Sequence, residues 1–269
     1  MEDRKITDNI EEFPIQRVAS AAKQVTDDMV AREIPLTIIF NNQELVTLLC
    51  SPTDKKYLAI GFLFSEGLIK SKEEIRKITV DDRGCVVRVE SEGDTEHDGK
   101  LFFSRLITSG GGRGIALYGE DDVRRQVKIE SQLVLSTTRI FALVKEFQRC
   151  SRLHKTTGGT HSAALCDTRS ILVFSEDIGR HNAVDKIFGE CLLRDIPTGD
   201  RIVVTAGRVP SEILLKVARR KIPILISKAA PTNVGVRLAN DLGITLIGFV
   251  RGERMNIYSG AWRIVTDGA

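Results

Sequence analysis

Positively charged residues occur in four segments of the second half of the chain, each after an apolar run, and three of the segments contain glycine. Arginine and lysine side chains bind phosphate groups, and glycine lets the backbone approach such a group closely. Three of the segments precede a predicted helix, where a cation opposes the helix dipole and so does not stabilise the helix. We interpret the set as a site for a diphosphate or a nucleotide, the alternative being unrelated solvated side chains. The segments are Gly179-Arg180-His181, Gly207-Arg208, Lys228 and Arg251-Gly252-Glu253-Arg254.

His161 ends a polar, glycine-containing turn at the start of a predicted strand. Its imidazole has two possible roles: to hydrogen-bond or exchange a proton with a ligand, or to satisfy the backbone of the turn. A zinc site shared by His161 and His181 would need cysteine or carboxylate ligands at a recognisable spacing. The sequence has none beside either histidine, so we expect no zinc.

The five cysteines are far apart and odd in number, and no two of them form a CxxC motif. This spacing disfavours both a disulfide framework and a four-cysteine zinc site. Cys166 and Cys191 lie within apolar runs and are expected in the core. Cys85 follows a turn and is expected to be the most accessible thiol.

The composition is that of a globular protein. Of the 269 residues, 42% are hydrophobic and 28% are charged, which excludes disorder, collagen and coiled coil. No window approaches ~18 consecutive apolar residues, and residues 1–12 lack the apolar stretch of a secretory signal. We therefore expect a cytoplasmic protein without a membrane span.

The charge is unevenly distributed along the chain. Residues 1–135 contain 19 Lys and Arg against 24 Asp and Glu, a net charge of −5, whereas residues 136–269 contain 20 against 12, a net charge of +8. An anionic partner is therefore expected on the second half. We do not expect that partner to be nucleic acid, because no basic run is interleaved with aromatic residues and the chain has one Trp and three Tyr.

The first half of the chain is predicted to be rich in β-structure. The apolar runs 34–40 and 45–50 flank two turn-forming asparagines and predict a hairpin, and a second hairpin is predicted over 78–89. Between them, a helix over 54–66 is expected to end at Gly67. We place a boundary near residue 130, which gives a small β-rich α+β domain over residues 1–130, ending in a glycine-rich loop at 108–114, and a second domain over 131–269.

The second half alternates strands and helices. Strands are predicted at 161–166, 171–174, 202–205, 222–226 and 244–250, and helices at 136–152, 181–193, 210–219 and 232–242. Near-continuous Ile, Val and Leu in the strands predict an α/β fold with a mostly parallel sheet covered by helices on both faces. Ligands of such sheets bind beyond the carboxyl ends of the strands, which is where the four charged segments fall.

Long motifs around the charged segments resemble a known family. They are GGTHSAAL at 158–165, EDIGRHNAVDK at 176–186, GRVPSE at 207–212, KAAPT at 228–232 and GFVRGERMN at 248–256, with AIGFLFSEG at 59–67 in the first half. Through these motifs the chain, from about residue 34 to 259, resembles the formate dehydrogenase accessory proteins of the FdhD family, which are sulfur carriers for the molybdenum cofactor.

The resemblance implies a cytidine-deaminase-like α/β domain beside a smaller domain, assembled as a homodimer. Members of that family take persulfide sulfur from a cysteine desulfurase and pass it to the molybdenum of bis(molybdopterin guanine dinucleotide), before the cofactor enters formate dehydrogenase. The family segment that matches residues 249–254, beginning with Phe249 and Val250, binds the guanine dinucleotide. GDP is therefore the cofactor fragment expected to bind.

The chain departs from the family at the residues that carry sulfur. Family members commonly have a CxxC motif in the loop that matches residues 108–114, and its cysteines align with Gly111 and Gly114. Sulfur transfer needs a thiolate, and glycine has no side chain to supply one.

Three hypotheses follow. In the first, the protein binds the cofactor and serves formate dehydrogenase maturation as a holder or delivery factor, with sulfur from another thiol or a partner. In the second, it is a degenerate paralogue that binds another nucleotide. The third, a zinc nucleoside deaminase, requires H-x-E and P-C-x-x-C motifs that this sequence lacks.

Overall fold

The computed structural model describes residues 6–20, 22–92 and 128–266. The loop at 108–114, with Gly111 and Gly114, lies outside the described residues. The described chain begins with a two-stranded antiparallel hairpin, β1 (Ile10–Ala19) and β2 (Ala22–Ala31), whose side chains are mostly exposed. The sequence analysis did not predict this hairpin.

A four-stranded sheet and one helix complete the first part of the chain. The strands are β3 (Ile34–Phe40), β4 (Gln43–Cys50), β5 (Ile75–Asp81) and β6 (Val86–Ser91), in the order β4-β3-β6-β5. Both predicted hairpins are present, and β3 also pairs with β6 in parallel. Helix α1 (Lys55–Glu66) ends as predicted at Gly67, whose positive φ of 78° suits glycine. A short 3-10 turn, Lys72–Glu74, precedes β5.

The second part of the chain forms a six-stranded sheet with helices on both faces. In chain order its elements are β7 (Leu135–Ser136), α2 (Thr137–Cys150), α3 (Arg152–Thr157), β8 (His161–Cys166), β9 (Ile171–Asp177), α4 (Arg180–Leu193), β10 (Ile202–Thr205), α5 (Ser211–Arg219), β11 (Ile224–Ser227), α6 (Asn233–Asp241), β12 (Thr245–Arg251), β13 (Arg254–Ser259) and β14 (Ile264–Val265). The sheet order is β13-β12-β11-β10-β8-β9, and the short strands β7 and β14 pair with each other.

The sheet is mixed, which corrects the prediction of a mostly parallel one. Only the neighbours β10–β11 and β11–β12 are parallel, while β8 runs antiparallel to both β9 and β10, and β13 runs antiparallel to β12. The connections explain part of the difference: β8 and β9, and likewise β12 and β13, are joined by tight turns and can only pair antiparallel, whereas a parallel pair needs a crossover helix. The α/β class is confirmed; the cytidine-deaminase-like description stays a prediction.

Two layers of apolar side chains sandwich this sheet. On one face, Ala164, Ile202 and Val204 pack with Phe147 of α2. On the other face, residues of the sheet pack with apolar side chains of α4, α5 and α6 and with α1 from the first part of the chain. The second layer therefore joins the core of the four-stranded part to that of the six-stranded sheet. The division near residue 130 stays a prediction.

Helices α1 and α4 approach each other unusually closely. A Cβ atom on Gly61 would lie 1.7 Å from the carbonyl oxygen of Asp185, and one on Gly189 would lie 2.0 Å from the carbonyl oxygen of Tyr57. Glycine at both positions thus lets the two backbones touch. Within the described residues, no helix is long and apolar enough to cross a membrane.

Candidate functional site

One edge of the six-stranded sheet collects the loops that the sequence analysis singled out. The carboxyl ends of the parallel strands β10, β11 and β12 lie side by side there, with Thr205 opposite Ser227. Because β8 is antiparallel to β10, its first residue, His161, lies at the same edge, directly opposite Asp177 at the end of β9. The three parallel strands alone would bring three loops to this edge. The antiparallel strands add two more, the loop before β8 and the loop after β9.

Gly207 lies close to the side chains of both Arg180 and His161 at this edge. A Cβ atom on Gly207 would lie 3.0 Å from the Cβ of Arg180 and 3.5 Å from the Nδ1 of His161. Glycine at 207 thus makes room for these two side chains. Gly252 differs: its φ is 58°, and in the described structure a Cβ there would meet open space. Backbone conformation, rather than crowding, favours glycine at 252.

Hydrogen bonds tie neighbouring loops of the edge together. The Ser227 hydroxyl donates to the carbonyl oxygen of Gly207 at 2.8 Å and accepts from the backbone N–H of Ala229 at 2.9 Å. The backbone N–H of Lys228 donates to the carbonyl oxygen of Thr205 at 3.1 Å. The loops that carry Arg208 and Lys228 are therefore held at fixed positions relative to each other.

Asp177 organises the turn that carries Arg180 and His181. Its carboxylate accepts hydrogen bonds from the backbone N–H of Gly179 and the side chain of Asn182, both at 2.9 Å, and lies 2.7 Å from the Nζ of buried Lys186. It also accepts from the backbone N–H of Ser51, just after β4, at 3.1 Å. A strand end of the first part of the chain thus braces the candidate site.

Neighbouring cations help to lower the proton affinity of two basic side chains at this edge. Burial, and next the neighbouring Arg208, lower the pKa of Arg180; burial, and next Arg251, lower the pKa of Lys228. Grouped like charges cost free energy, and an anion placed among them offsets that cost. The four cations thus form two repelling pairs along one edge.

Two helices begin at the edge with N-cap residues that cannot cap them. Gly179 precedes α4 and Pro210 precedes α5, and neither side chain can accept a hydrogen bond. By contrast, Thr232 caps α6 through its hydroxyl. Free N–H groups at the first turn of a helix attract anions. The starts of α4 and α5 therefore add to the attraction that the adjacent cations exert on an anion.

His181 lies beside buried charged residues of α5. Burial and the cations Lys216 and Arg180 lower its pKa to about 3, so the imidazole is neutral at neutral pH. Its Nε2 lies 3.4 Å from Glu212 Oε2, and among the described residues neither atom has a hydrogen-bond partner of good geometry. Burial also raises the pKa of Glu212.

Residues 249–254 form the end of β12 and an exposed turn. Phe249 has a φ of 55°, a left-handed conformation that is uncommon for a bulky residue, and β12 is irregular between Gly248 and Arg251. Arg251 and Arg254 are opposite each other across the turn and, like Gly252 and Glu253, are exposed, whereas Val250 is buried. Its placement beside Lys228 puts this turn at the same end of the sheet.

The structure thus gathers every candidate binding residue within the described part of the chain at one edge, while their roles in binding stay predictions. The sequence analysis missed the supporting residues Asp177, Asn182, Ser227 and Glu212. The carboxylate of Asp177, at the end of β9 and two residues before Gly179, is a local signal that could have identified one of them. No group of three His, Cys, Asp or Glu side chains capable of holding a metal ion occurs among the residues described.

Comparisons with known proteins identify the relatives of this chain. Residues 31–265 match the FdhD/NarQ family. The chain is 44% identical over 237 residues to the sulfur carrier protein FdhD of Bacillus pumilus, covering 88% of this chain and 90% of that protein. It is 42% identical over 238 residues to the Bacillus subtilis protein of the same name, covering 88% and 91%.

A solved structure is also similar over nearly the whole chain. A crystal structure from Desulfotalea psychrophila, described as that of a formate dehydrogenase accessory protein, superposes with a TM-score of 0.81 at 29% identity and covers 96% of this chain and all of that one. The length and identity of these matches leave one conclusion. The chain belongs to the FdhD/NarQ family.

Proposed function

We propose that this protein binds bis(molybdopterin guanine dinucleotide) at the edge of the six-stranded sheet and delivers it during the maturation of formate dehydrogenase. The observation that carries the proposal is the grouping of Arg180, Arg208, Lys228 and Arg251 at one edge, beside two helix starts. The proposal includes a homodimer that acts in the cytoplasm with a cysteine desulfurase as a partner.

The charges at the edge suit a ligand with more than one phosphate group. Arg180 and Arg208 would neutralise the diphosphate, and the backbone N–H groups that open α4 and α5 would donate to its oxygens. Lys228 and the turn at 249–254 would contact the guanine nucleotide. When bound, the cofactor supplies the molybdenum atom that receives sulfur; the residues of this chain bind and orient it.

The thiol chemistry of this chain differs from that of its relatives. Gly111 and Gly114 have no sulfur, so we propose that the sulfur comes from another thiol or from a partner. Cys50, Cys166 and Cys191 are buried, and burial raises the pKa of each to about 12, so they hold no thiolate near neutral pH. Cys85 and Cys150 are both half-buried; Cys85 follows a turn, and we propose it as the first thiol to test.

Calorimetry with GDP tests the binding site. Replacing Arg251 and Arg254 together with Ala removes two exposed cations, and we expect GDP affinity to fall at least about tenfold, because hydrogen bonds to charged groups contribute roughly 1.5–3 kcal/mol each. The affinity of the unmodified protein should also fall steeply with salt. Arg83→Ala, in the exposed turn after β5, is the matched control and should bind GDP normally.

Two results would contradict the proposal. One is the absence of heat on addition of either GDP or the full cofactor. The other is unchanged affinity in the double variant. Equal affinity for ADP and UDP would instead favour a paralogue that uses a different nucleotide.

Complementation tests the missing thiols. In a strain lacking its own FdhD, we compare the unmodified chain with the variant that combines Gly111→Cys and Gly114→Cys. Formate dehydrogenase activity restored only by the variant would mean that the protein lacks nothing but the sulfur-carrying thiols. Restoration by the unmodified chain, lost in Cys85→Ser, would assign sulfur transfer to Cys85. Failure of both chains would argue against a role in formate dehydrogenase maturation.

A further inference from the structure

We propose that His161 takes up a proton when a diphosphate group binds beside Arg180 and Arg208, so that anion binding at the sheet edge is coupled to protonation and strengthens as the pH falls. This inference rests on the proposed function only in requiring that the edge binds a diphosphate. It adds a pH-sensitive cation, His161, to the two arginines proposed to bind the diphosphate.

The placement of the imidazole is the first support. His161 opens β8 at the sheet edge, and its Nδ1 and the Cδ of Arg180 lie 3.5 Å and 3.3 Å from the same point, the position that a Cβ on Gly207 would occupy. The ring and the arginine side chain therefore line the same small region. Within the described residues, no hydrogen bond occupies the ring nitrogens, and the residue is only half-buried. The ring can thus donate to a bound anion.

The charges that face His161 favour the neutral imidazole in the free protein. Its pKa lies below 6.5 because of burial first, then Arg180, His154 and Arg208, while Asp177 acts in the opposite direction. A diphosphate beside the two arginines would cancel two of these repulsions and add an attraction of its own. Binding of the anion therefore raises the pKa of His161, and by linkage a proton enters with the anion.

The neighbouring His181 cannot play this part. Its imidazole is more deeply buried, and Lys216, a larger cause of its lowered pKa than Arg180, is buried and paired with Asp185 and Glu66. A pKa of about 3 leaves His181 far from protonation at neutral pH even when a nearby arginine is neutralised. His161 is the histidine of the edge whose charge an anion can change.

The direction of the pH dependence follows from linkage. Below the pKa of His161 in the free protein the ring is already charged, and above its pKa in the complex it stays neutral; affinity is independent of this group in both ranges. Between the two values, affinity falls as the pH rises, by at most about tenfold per pH unit. The affected range extends from below 6.5 upwards.

Calorimetry with GDP-mannose tests the inference. Its diphosphate is a diester with no titratable proton near neutral pH, so any proton exchanged belongs to the protein. Measuring the binding heat at pH 7 in PIPES and in imidazole buffer, whose ionisation enthalpies differ, gives the number of protons taken up. We expect a clear uptake, approaching one proton per bound ligand at the pH where the two pKa values are best separated.

Two variants assign the proton. His161→Gln keeps a polar side chain that does not titrate and should bind GDP-mannose without proton uptake and with an affinity independent of pH. Arg83→Ala, in the exposed turn after β5, is the control and should behave as the unmodified protein does. His161→Asn replaces His161→Gln if thermal unfolding shows that the latter is not folded.

The outcomes separate this inference from the proposed function. Binding of GDP-mannose without proton uptake by the unmodified protein would overturn the inference and leave the anion site standing. Uptake that persists in His161→Gln would also overturn it, because the proton would then belong to another group. Absence of any GDP-mannose binding would overturn the diphosphate site itself and the inference with it.

Discussion

At the scale of single residues, the candidate site separates two histidines by depth. His161 stands at the sheet edge near half-buried Arg180 and exposed Arg208, whereas His181, one residue beyond Arg180, turns towards buried Glu212. The sequence analysis named both as candidate ligand contacts, with a structural role left open for His161, since residue type and spacing do not reveal which side of a helix start faces the core. Only the packing of α4 against α5 gives His181 its neutral, buried state.

The buried imidazole of His181 should make stability depend on pH. Its pKa is about 3 in the folded protein and 6.5 by default, so below pH 6.5 the unfolded chain binds more protons and the folded state loses stability. We expect the free energy of unfolding to fall between pH 6.5 and 5 by up to about 1.4 kcal/mol per pH unit more in the unmodified protein than in His181→Gln.

Urea unfolding at several pH values measures this difference. Glu212, whose raised pKa has the opposite effect at low pH, is present in both proteins, so the comparison isolates His181. Parallel curves for the two proteins over this pH range would show that His181 is protonated, or accessible to protons, in the folded state.

At the scale of elements, the contact of α1 with α4 connects the first part of the chain to the candidate site. Gly61 and Gly189 let the backbones touch, and α4 begins with Arg180 and His181. A displacement of α4 along this contact would therefore move side chains at the sheet edge. The helix pair thus serves both packing and the position of the site.

Gly61→Ala should weaken both the packing of α1 against α4 and the positioning of the site residues on α4. The new methyl group would lie 1.7 Å from the backbone oxygen of Asp185, and backbone cannot move aside as a flexible side chain does. We expect a loss of about 1–3 kcal/mol in the free energy of unfolding and weaker GDP binding. Lys56→Ala, on an exposed position of the same helix, is the control. A Gly61→Ala protein with unchanged stability would mean that the helices are not in backbone contact in solution.

Element prediction from sequence succeeded where local signals were strong. Residues 41–42 mark the turn of the first hairpin, and Gly67 marks the end of α1. Continuous apolar runs mark the strands β10 to β12. It failed for β1 and β2, whose charged residues and Pro14 lack the alternation of a half-buried strand. The mixture of parallel and antiparallel pairs was not predicted, because β8 lies between β9 and β10 in the sheet. That position is determined by tertiary packing, which leaves no local signal in the sequence.

At the scale of the whole molecule, buried charges join the two parts of the chain. Lys216 of α5 lies 2.6 Å and 2.8 Å from the carboxylate oxygens of Asp185 in α4 and 3.7 Å from Glu66 in α1. Asp185 also accepts a hydrogen bond from the Ser65 hydroxyl at 2.6 Å. Arg219 and Arg220 donate to backbone carbonyls at the end of α1. Three helices from both sides of residue 130 thus share one polar cluster.

Lys216→Met tests whether this cluster holds the molecule together. The substitution keeps most of the side-chain volume but leaves the buried carboxylates of Asp185 and Glu66 facing each other without their cation, and removing one partner of a buried ion pair typically costs about 3–5 kcal/mol. Lys145→Met, exposed on α2, should change little. Helix α1 packs against α4 and α5 in one continuous core, so we expect the whole described fold to unfold in one step. Urea unfolding curves recorded by tryptophan fluorescence and by circular dichroism should therefore coincide in both variants. Only in Lys216→Met should the transition shift to lower urea concentration. Two separate transitions in the unmodified protein would instead mean that the parts before and after residue 130 unfold independently, and that the buried cluster does not couple the first part of the chain to the edge where we place the ligand.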